Sequence, residues 1–398
     1  MDRRAFILGG IAAFGAPSAI DAQMVEERKR PIGAMPGNQN AQGAAERETQ
    51  PVLALRRGLN LSHWFAQAPR TQGYSQEHLS VHTTASDLAL IRRLGFDHAR
   101  LSVDPALLFT PANVEIVQGD RLQALERAVQ MIIDADLAVV IDMHPSSDFK
   151  KALGRDDGDV ERFADFWRDI AGRFARRPVE RVVFEILNEP EFADRYRWSG
   201  VQGKLLASIR QAASRHTVIV SGHRWASVDE LLSLEPVRDA NVIYNFHFYL
   251  PHIFTHQGAV WGMPFWRHLV AVPYPSSVNN VAPLADLLSD DVSRLLVMRY
   301  GHEQWNGTRI RAEIQQVAAW ATKRNVRLIC NEFGVYRRVA PASDRARWIG
   351  DVRTALEMHG IGWTMWDYAG DFGLVTKQSG QSVVDDVIVS ALGLDPRS

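Results

Sequence analysis

Short apolar runs recur eight times after residue 54, and amphipathic segments lie between most of them. The runs have the length and the β-branched and aromatic content of buried strands. The segments between them, such as residues 87–94, 122–135 and 161–174, repeat apolar positions every three or four residues, as helices do. The predicted strands are Leu55–Leu61, His98–Val103, Ala138–Met143, Val182–Leu187, Val218–Val220, Val242–Phe248, Val326–Cys330 and Ile361–Met365.

Eight strands that alternate with helices predict an α/β fold, a (β/α)8 TIM barrel in a single domain. The runs are nearly continuous in apolar residues, which is typical of parallel strands buried on both faces. One connection is too long for a simple crossover, because residues 250–324 separate strands six and seven. We expect this insertion to form an elaborated loop over the barrel mouth; the alternative is a structural excursion packed on the side.

The first fifty residues have a different character. Residues 1–22 place Arg3 and Arg4 before a short run of Ala, Gly and Phe that ends in small residues, which resembles a twin-arginine export signal. An uncleaved anchor is the alternative, but the run is shorter than the ~20 residues that span a bilayer. Residues 23–52 lack apolar periodicity and are expected to be a disordered or strap-like segment. We therefore expect a catalytic domain at 53–398 in a periplasmic or secreted protein.

Composition narrows the class of partner. The formal net charge of -1 lacks the basic footprint of a nucleic-acid-binding protein. A neutral polysaccharide or oligosaccharide fits better, and no further segment predicts a membrane span. Cys330 is the one cysteine of the chain, so no internal disulfide can form, and its place in a predicted strand indicates a buried thiol. We expect a monomer without cofactor or metal.

Polar and aromatic residues stand at the carboxyl ends of seven predicted strands. In β/α barrels this end carries the catalytic groups, because the strand ends meet around one rim. Any one such residue could be a structural polar group, but seven strands with the same feature favour a site. The residues at or just beyond these ends are Arg100, His144, Asn188, Glu189, Trp225, His247, Tyr249, Glu332 and Trp366.

Two of these residues are glutamates, Glu189 after strand four and Glu332 at the end of strand seven. Glycoside hydrolysis requires one carboxylic acid that protonates the leaving oxygen and one carboxylate opposite it. In a retaining mechanism the two carboxyl groups lie about 5–5.5 Å apart. We therefore expect Glu332 to attack the anomeric carbon, and Glu189 to act first as acid and then as base.

The neighbouring residues suit the same reaction. Arg100 is a fixed cation that could hold Glu332 ionised, and Tyr249 could donate a hydrogen bond to the same carboxylate. Asn188 could bind the sugar 2-hydroxyl, a contact that strengthens in the transition state. Trp366 offers a flat floor for a sugar ring.

Histidines and further tryptophans complete the predicted site. His144 and His247 could bind hydroxyls or tune the acid. Trp64, Trp198, Trp225 and Trp261 are candidate sugar platforms.

Three further acids have simpler interpretations. Glu185 lies one layer below Glu189 on the same strand and is expected to be a buried acid paired with an arginine. Glu191 follows Pro190 and is expected at the rim or surface. Asp142 is expected to be a hydrogen-bonded structural acid, although the D-M-H sequence around it could supply metal ligands.

The ordered motifs resemble glycoside hydrolase family 5, the cellulase-type family of retaining (β/α)8 enzymes. The motifs are R-G-L-N-L-S-H-W-F, N-E-P, H-F-Y, E-F-G and a final Trp, and the resemblance covers residues 55–390. It implies Glu189 as acid/base and Glu332 as nucleophile, with six supporting residues: Arg100, His144, Asn188, His247, Tyr249 and Trp366. Asn331 departs from the pattern, because a small residue often precedes the nucleophile.

The sequence leads to an endo-1,4-β-glucanase acting on cellulose-like soluble glucans. Another β-glycan remains an alternative substrate: mannan, β-1,3-glucan or the cell's own exopolysaccharide. A metal-dependent barrel hydrolase is disfavoured, since strand one carries a lone His63 where a His-x-His pair is common. A non-catalytic carbohydrate-binding barrel is disfavoured because both glutamates are present.

Overall fold

The computed structural model of the protein describes residues 55–68, 73–108, 119–378 and 381–395. The expected export signal at 1–22 and the segment at 23–52 lie outside the described residues. No helix in the described ranges is long and apolar enough to cross a membrane.

Eight parallel strands close into a barrel in sequence order, with β1 paired to both β2 and β8. The predicted (β/α)8 barrel is therefore confirmed. A two-stranded antiparallel hairpin follows the barrel. The strands are β1 (Arg57–Phe65), β2 (His98–Val103), β3 (Ala138–Met143), β4 (Val182–Glu185), β5 (Thr217–Ser221), β6 (Val242–Phe248), β7 (Arg327–Phe333), β8 (Gly362–Met365), β9 (Val375–Gln378) and β10 (Gln381–Val384).

The helices surround this barrel, and most begin with a side-chain cap. Asp156, for example, accepts a hydrogen bond from the backbone N–H of Asp159 at the start of the fifth helix. The helices are α1 (Gln76–Val81), α2 (Ala85–Arg93), α3 (Asp120–Asp134), α4 (Ser147–Arg155), α5 (Asp157–Phe174), α6 (Arg195–Ala212), α7 (Val228–Leu232), α8 (His252–Thr255), α9 (Val278–Leu287), α10 (Asp291–Glu303), α11 (Gly307–Arg324), α12 (Ala342–Met358) and α13 (Asp386–Ala391). Short 3-10 turns lie at Pro105–Leu107 and Trp266–His268.

Three strands end two or more residues away from the predicted position. β1 and β7 extend beyond the apolar runs, to Phe65 and Phe333, while β4 stops at Glu185. In β7 the pairing with β6 shifts between Phe246 opposite Cys330 and His247 opposite Glu332, so Asn331 is an extra residue on β7. Such a bulge re-aims the following side chain, and that side chain belongs to Glu332.

The barrel interior is layered. Its amino-terminal half is filled by an apolar cluster: Leu55, Ala138, Val140, Val183, Ile219, Ile243 and Ile329. Polar residues from the same strands lie nearer the carboxyl ends, and all are buried: Asn60, Arg100, Asp142, Glu185, Asn245 and Asn331. The apolar layer holds the barrel together, and the polar layer supports the rim above it.

The insertion between β6 and β7 combines both of the arrangements considered above. Its first part brings Trp261 against Tyr336 and Phe372, which follow β7 and β8 at the mouth. Its second part contains α9 and α10, which pack together, and the segment before α9 is tied to α12 through a hydrogen bond of 2.7 Å from Tyr274 to Asp351. The last helix, α11, contacts α7, β7 and α12 as an ordinary barrel helix does.

Candidate active site

The two glutamates meet at the carboxyl end of the barrel. One carboxylate oxygen of Glu189, one of Glu332 and a ring nitrogen of His247 all lie within 4.8 Å of one another. Glu189 lies in the loop after β4, His247 on β6 and Glu332 on β7, so closure of the barrel is what brings them together. The separation of the carboxylate oxygens suits a sugar carbon held between them.

Glu332 is the more enclosed of the two acids. Its side chain is 6% exposed, and both carboxylate oxygens accept hydrogen bonds. Arg100 donates to Oε1 from Nη1 at 2.8 Å, and the Tyr249 hydroxyl donates to Oε2 at 2.9 Å. Burial, and then the charge of Glu332, raise the pKa of Tyr249 well above its ordinary value, so this hydroxyl keeps its proton. These two contacts fix the orientation of the Glu332 carboxylate.

Glu189 is more open, with 29% of its side chain exposed. His247 places Nδ1 at 3.1 Å from Glu189 Oε1 and 3.5 Å from Glu332 Oε2. With the Asn245 amide donating to His247 Nε2 at 3.2 Å, the ring proton resides on Nδ1 and faces the two acids. Burial lowers the pKa of His247 to about 4, so the imidazole is neutral at pH 7. It therefore links the two acids without adding a charge.

Arg100 is a buried cation that contacts three carboxylates of the site. It is fully buried and makes a bidentate pair with Glu185, at 2.7 and 3.0 Å. Asp142 is a third carboxylate, 3.1 Å from Nη2. Burial opposes the guanidinium charge, but Asp142, Glu185 and Glu332 outweigh it and raise the pKa of Arg100 well above its ordinary value. The expected pairing of Glu185 with an arginine is confirmed.

A second chain of hydrogen bonds fixes Asn188. The Asn188 side-chain oxygen accepts from Arg100 at 2.9 Å, and its amide nitrogen donates to His144 Nε2 at 3.1 Å. His144 Nδ1 in turn lies 2.9 Å from Asp142. Burial lowers the pKa of His144 to about 3 and raises that of Asp142 to about 6. A neutral imidazole therefore accepts from Asn188, and Asp142 is the hydrogen-bonded structural acid that we expected.

Three of the five predicted sugar platforms lie at the mouth. Trp366 stacks on His144, with ring centroids 5.6 Å apart and an interplanar angle of 20°. Trp225 is 56% exposed, and its backbone N–H donates to Pro190 in the loop that carries Glu189. Trp261 is 46% exposed, and its ring meets Tyr336 edge-on at 5.0 Å. Trp225 and Trp261 therefore present exposed aromatic surface, whereas Trp366 is only 7% exposed and packs in a cluster with Tyr336 and Phe372.

Trp64 is not a platform, so this prediction is wrong. Its side chain is buried, with 2% of the residue exposed, and its indole N–H donates to the Leu79 carbonyl of α1 at 2.8 Å. Trp198 is buried in the same way and donates to the Ser221 carbonyl. Both rings fill the space between barrel and helices, which is the commoner place for tryptophan.

Several residues of the site were not expected from the sequence. Asn60, Asn245 and Asn331 join Arg100 and Glu185 in the buried polar layer, and Asn331 donates to Glu185 at 2.7 Å. A signal was present, because each asparagine interrupts an apolar strand. The departure at Asn331 therefore has a structural role, because its amide satisfies the buried carboxylate of Glu185 beneath Glu332.

The insertion adds further side chains to the mouth that the sequence did not single out. His252 stacks on Trp266 at 6.0 Å, and His256 lies 4.6 Å from the same ring. His256 also meets Tyr249 edge-on at 5.1 Å. These residues extend the aromatic surface around Tyr249, which contacts Glu332.

The three groups within 4.8 Å could also hold a divalent cation, since two carboxylates and an imidazole are common metal ligands. Among the described residues, this is the cluster with suitable spacing. Arg100 beside Glu332 already supplies the positive charge that a cation would add.

Comparison with known proteins gives one consistent family. Residues 61–371 match the family model described as Cellulase (glycosyl hydrolase family 5). Endoglucanase C of Acetivibrio thermocellus is 30% identical over 323 residues, which are 80% of this chain and 92% of that protein. Cellodextrinase A of Ruminococcus flavefaciens is 27% identical over 316 residues, 77% of this chain and 83% of that protein.

Solved structures agree in fold. A hyperthermophilic endo-β-1,4-glucanase in complex with substrate superposes with a TM-score of 0.69 at 25% identity, covering 85% of this chain and 97% of that one.

Proposed function

The chain belongs to glycosyl hydrolase family 5, the cellulase family, and we propose that it cleaves internal β-1,4-glucosidic bonds of cellulose-like soluble glucans with retention of configuration. The observation that carries this proposal is the convergence of Glu189 and Glu332, whose nearest oxygens lie within 4.8 Å. Retaining enzymes hold their carboxyl groups about 5–5.5 Å apart, whereas inverting enzymes need about 6.5–9.5 Å to admit a water molecule.

In the first step, Glu332 is the nucleophile. Its carboxylate attacks the anomeric carbon while the bond from that carbon to the glycosidic oxygen breaks. Glu189 gives its proton to the departing oxygen, so the leaving sugar departs as a neutral alcohol. The product of this step is a glycosyl ester on Glu332.

In the second step, water releases the sugar. Glu189, now ionised, takes a proton from the water as the water oxygen attacks the anomeric carbon. The ester bond to Glu332 breaks, and the sugar leaves with its original configuration. Glu189 is protonated again and Glu332 is a carboxylate, which restores the starting state.

The surrounding residues stabilise these steps. Arg100 and Tyr249 hold Glu332 in its ionised, attacking orientation at 2.8 and 2.9 Å. Asn188 is held in place by Arg100 and His144, and we assign its side chain to the contact with the sugar 2-hydroxyl. We assign Trp366 to the floor beneath the reacting ring, and Trp225 and Trp261 to neighbouring sugars.

The substrate assignment comes from the relatives. The names of the matched proteins include endoglucanase, cellodextrinase and endo-β-1,4-glucanase. A soluble cellulose derivative, mixed-linkage glucan, mannan, laminarin and xylan should be tested in parallel, with product analysis. We expect shortened chains from the first two. Cleavage restricted to mannan or laminarin would transfer the proposal to that glycan, and no cleavage of any glycan would refute it.

Variants test the two acids separately. Glu332→Gln should abolish nearly all turnover, because an amide cannot attack the anomeric carbon. Glu189→Gln should lose most activity on glycans but less on substrates with good leaving groups, which need little protonation. Glu161→Gln is the matched control, since that side chain is 61% exposed on α5. Activity that survives in Glu332→Gln would contradict the nucleophile assignment.

A metal requirement is tested at the same time. Because Arg100 supplies the positive charge beside Glu332, we expect a chelator such as EDTA to leave the rate unchanged. Loss of activity with EDTA, restored by a divalent cation, would favour a cation between Glu189, His247 and Glu332 instead.

We further propose that residues 53–398 are the catalytic unit of a monomeric enzyme that is exported to the periplasm or medium. The export part rests on the twin-arginine-like sequence at 1–22. Replacing Arg3 and Arg4 with lysine should keep the protein in the cytoplasm, as fractionation would show. Unchanged export would contradict this assignment.

A further inference from the structure

We propose that the ion pair between Lys150 and Glu191 is a positioning device for the acid/base Glu189. The inference rests on the proposed function, because it assigns these residues to the protonation step. Lys150 lies on α4, which follows β3, and Glu191 lies two residues after Glu189. Neither is among the residues assigned to the chemistry above.

Lys150 is a buried cation with a specific partner. The residue is 5% exposed, and its Nζ lies 3.6 Å from Glu191 Oε1. Lysine is almost never this buried without a paired acid, because its ammonium group loses most of its hydration. Glu191 Oε2 accepts a hydrogen bond of 2.5 Å from Ser147, one helical turn before Lys150. Two side chains of α4 therefore hold one carboxylate.

The loop that Glu191 anchors contains a strained residue. Glu189 has φ of +43°, in the left-handed region that side chains other than glycine rarely adopt. Such a conformation costs about 1–3 kcal/mol and persists only where its surroundings enforce it. The residues on both sides of Glu189 are held in place and keep it in this conformation. Before it, Asn188 N–H donates to Met143 O at 2.8 Å, and after it, Glu191 is held by α4.

The other side of the loop is held by backbone contacts. Trp225 N–H donates to Pro190 O at 2.9 Å, and Phe192 N–H donates to His223 O at 3.0 Å. Glu191 itself forms an antiparallel bridge with Arg224. Residues 190–192 are thus clamped between α4, through side chains, and the loop after β5, through the backbone. Loss of the α4 side would let Glu189 relax and move its carboxyl group from the glycosidic oxygen.

Displacement of Glu189 should slow some substrates more than others, depending on their leaving groups. Only the first step with a poor leaving group depends strongly on proton donation, so displacement of Glu189 should slow that reaction most. A purely structural role for the ion pair would lower stability, or would slow all substrates alike. A rate loss that depends on the leaving group therefore distinguishes a positioning role of the ion pair from a purely structural role.

The test compares kcat/KM for an aryl β-cellobioside with a good leaving group, dinitrophenol, and one with a poor leaving group, phenol. For Lys150→Met, we expect a loss of about 10- to 100-fold with phenol and less than about threefold with dinitrophenol. Lys150→Arg should recover most of the phenol rate. Lys151→Met is the matched control, because Lys151 is the exposed neighbour on the same helix.

Glu191→Gln keeps an acceptor for Ser147 but removes the charge, and it carries the test if Lys150→Met does not fold. Equal losses on both substrates, or no loss on either, in a variant with the wild-type melting temperature would overturn the inference. Failure of the wild-type enzyme on both cellobiosides and on every glycan would instead refute the proposed function.

Discussion

The substitution Arg100→Met probes the buried charge cluster beneath the nucleophile. Methionine fills similar space but removes a guanidinium that touches Glu185 at 2.7 Å, Glu332 at 2.8 Å and Asp142 at 3.1 Å. Removing one partner of a buried ion pair costs about 3–5 kcal/mol, since the remaining charge stays buried and unpaired. Native proteins are stable by only about 5–15 kcal/mol in total. Arg100→Met should therefore be severely destabilised at pH 8.

The loss of stability caused by Arg100→Met should be larger at high pH than at low pH. Even with Arg100 present, burial raises the pKa of Asp142 to about 6 and raises that of Glu185. Without the guanidinium these folded-state pKa values rise further, above those of the unfolded chain. Such groups destabilise the fold when ionised, and the penalty is relieved as the pH falls through the folded-state pKa. The difference from wild type should therefore be smaller at pH 5 than at pH 8.

Urea unfolding followed by tryptophan fluorescence gives the free energy of unfolding of Arg100→Met and of wild type. The two proteins are compared at pH 5 and at pH 8. Arg92→Met is the control, because Arg92 is 45% exposed and pairs with Asp136 at the surface. That variant should lose less than about 1 kcal/mol at both pH values. An Arg100→Met penalty below about 1 kcal/mol at pH 8, or one equal at pH 5 and pH 8, would refute this account of the cluster.

The remaining predictions concern single side chains. Tyr249→Phe removes one hydrogen bond to the nucleophile and should lower kcat/KM by about 10- to 100-fold without changing the melting temperature; an unchanged rate would argue against that contact. Trp225→Ala should raise KM for long oligosaccharides by about tenfold at unchanged stability. Trp64→Ala should instead lower the free energy of unfolding, measured with urea, by about 3–5 kcal/mol. A loss of stability in Trp225→Ala and a raised KM in Trp64→Ala would invert the two assignments. Asp87 accepts hydrogen bonds from Tyr368, Thr84, Ser382 and Lys377, which outweigh burial and lower its pKa. The ionised Asp87 carboxylate therefore stabilises the fold fully above its ordinary pKa near 4, and this stabilisation is lost as the pH falls below that value. The difference in melting temperature between wild type and Asp87→Asn should shrink from pH 7 to pH 3. A constant difference would contradict the charge effect.

The barrel was predictable because its strands carry a strong local signal. Parallel strands buried on both faces are continuous apolar runs, and the bounds of β2, β3 and β6 agree with the sequence prediction. The candidate acids were predictable for a related reason, since the fold places every strand end at one rim. The meeting of Glu189 and Glu332 then follows from topology.

What the sequence did not reveal depends on contacts between distant residues. The sequence places the end of β7 too early because Asn331 and Glu332 look like the start of a loop, whereas the bulge at Asn331 lets Glu332 pair with His247 of β6. Gly334 just beyond is equally constrained: a Cβ there would lie 2.4 Å from the Trp366 carbonyl oxygen. Trp64 was misassigned because its burial depends on α1, which comes fifteen residues later in the chain.

The stereochemistry of the first product tests the central claim most directly. Proton NMR of a fresh digest of a soluble β-1,4-glucan distinguishes the two anomers before they equilibrate. With the oxygens of Glu189 and Glu332 within 4.8 Å, the enzyme should release the β-anomer first, and the α-anomer should appear only by later mutarotation. Initial release of the α-anomer would contradict attack by Glu332 and the two-step mechanism built on it.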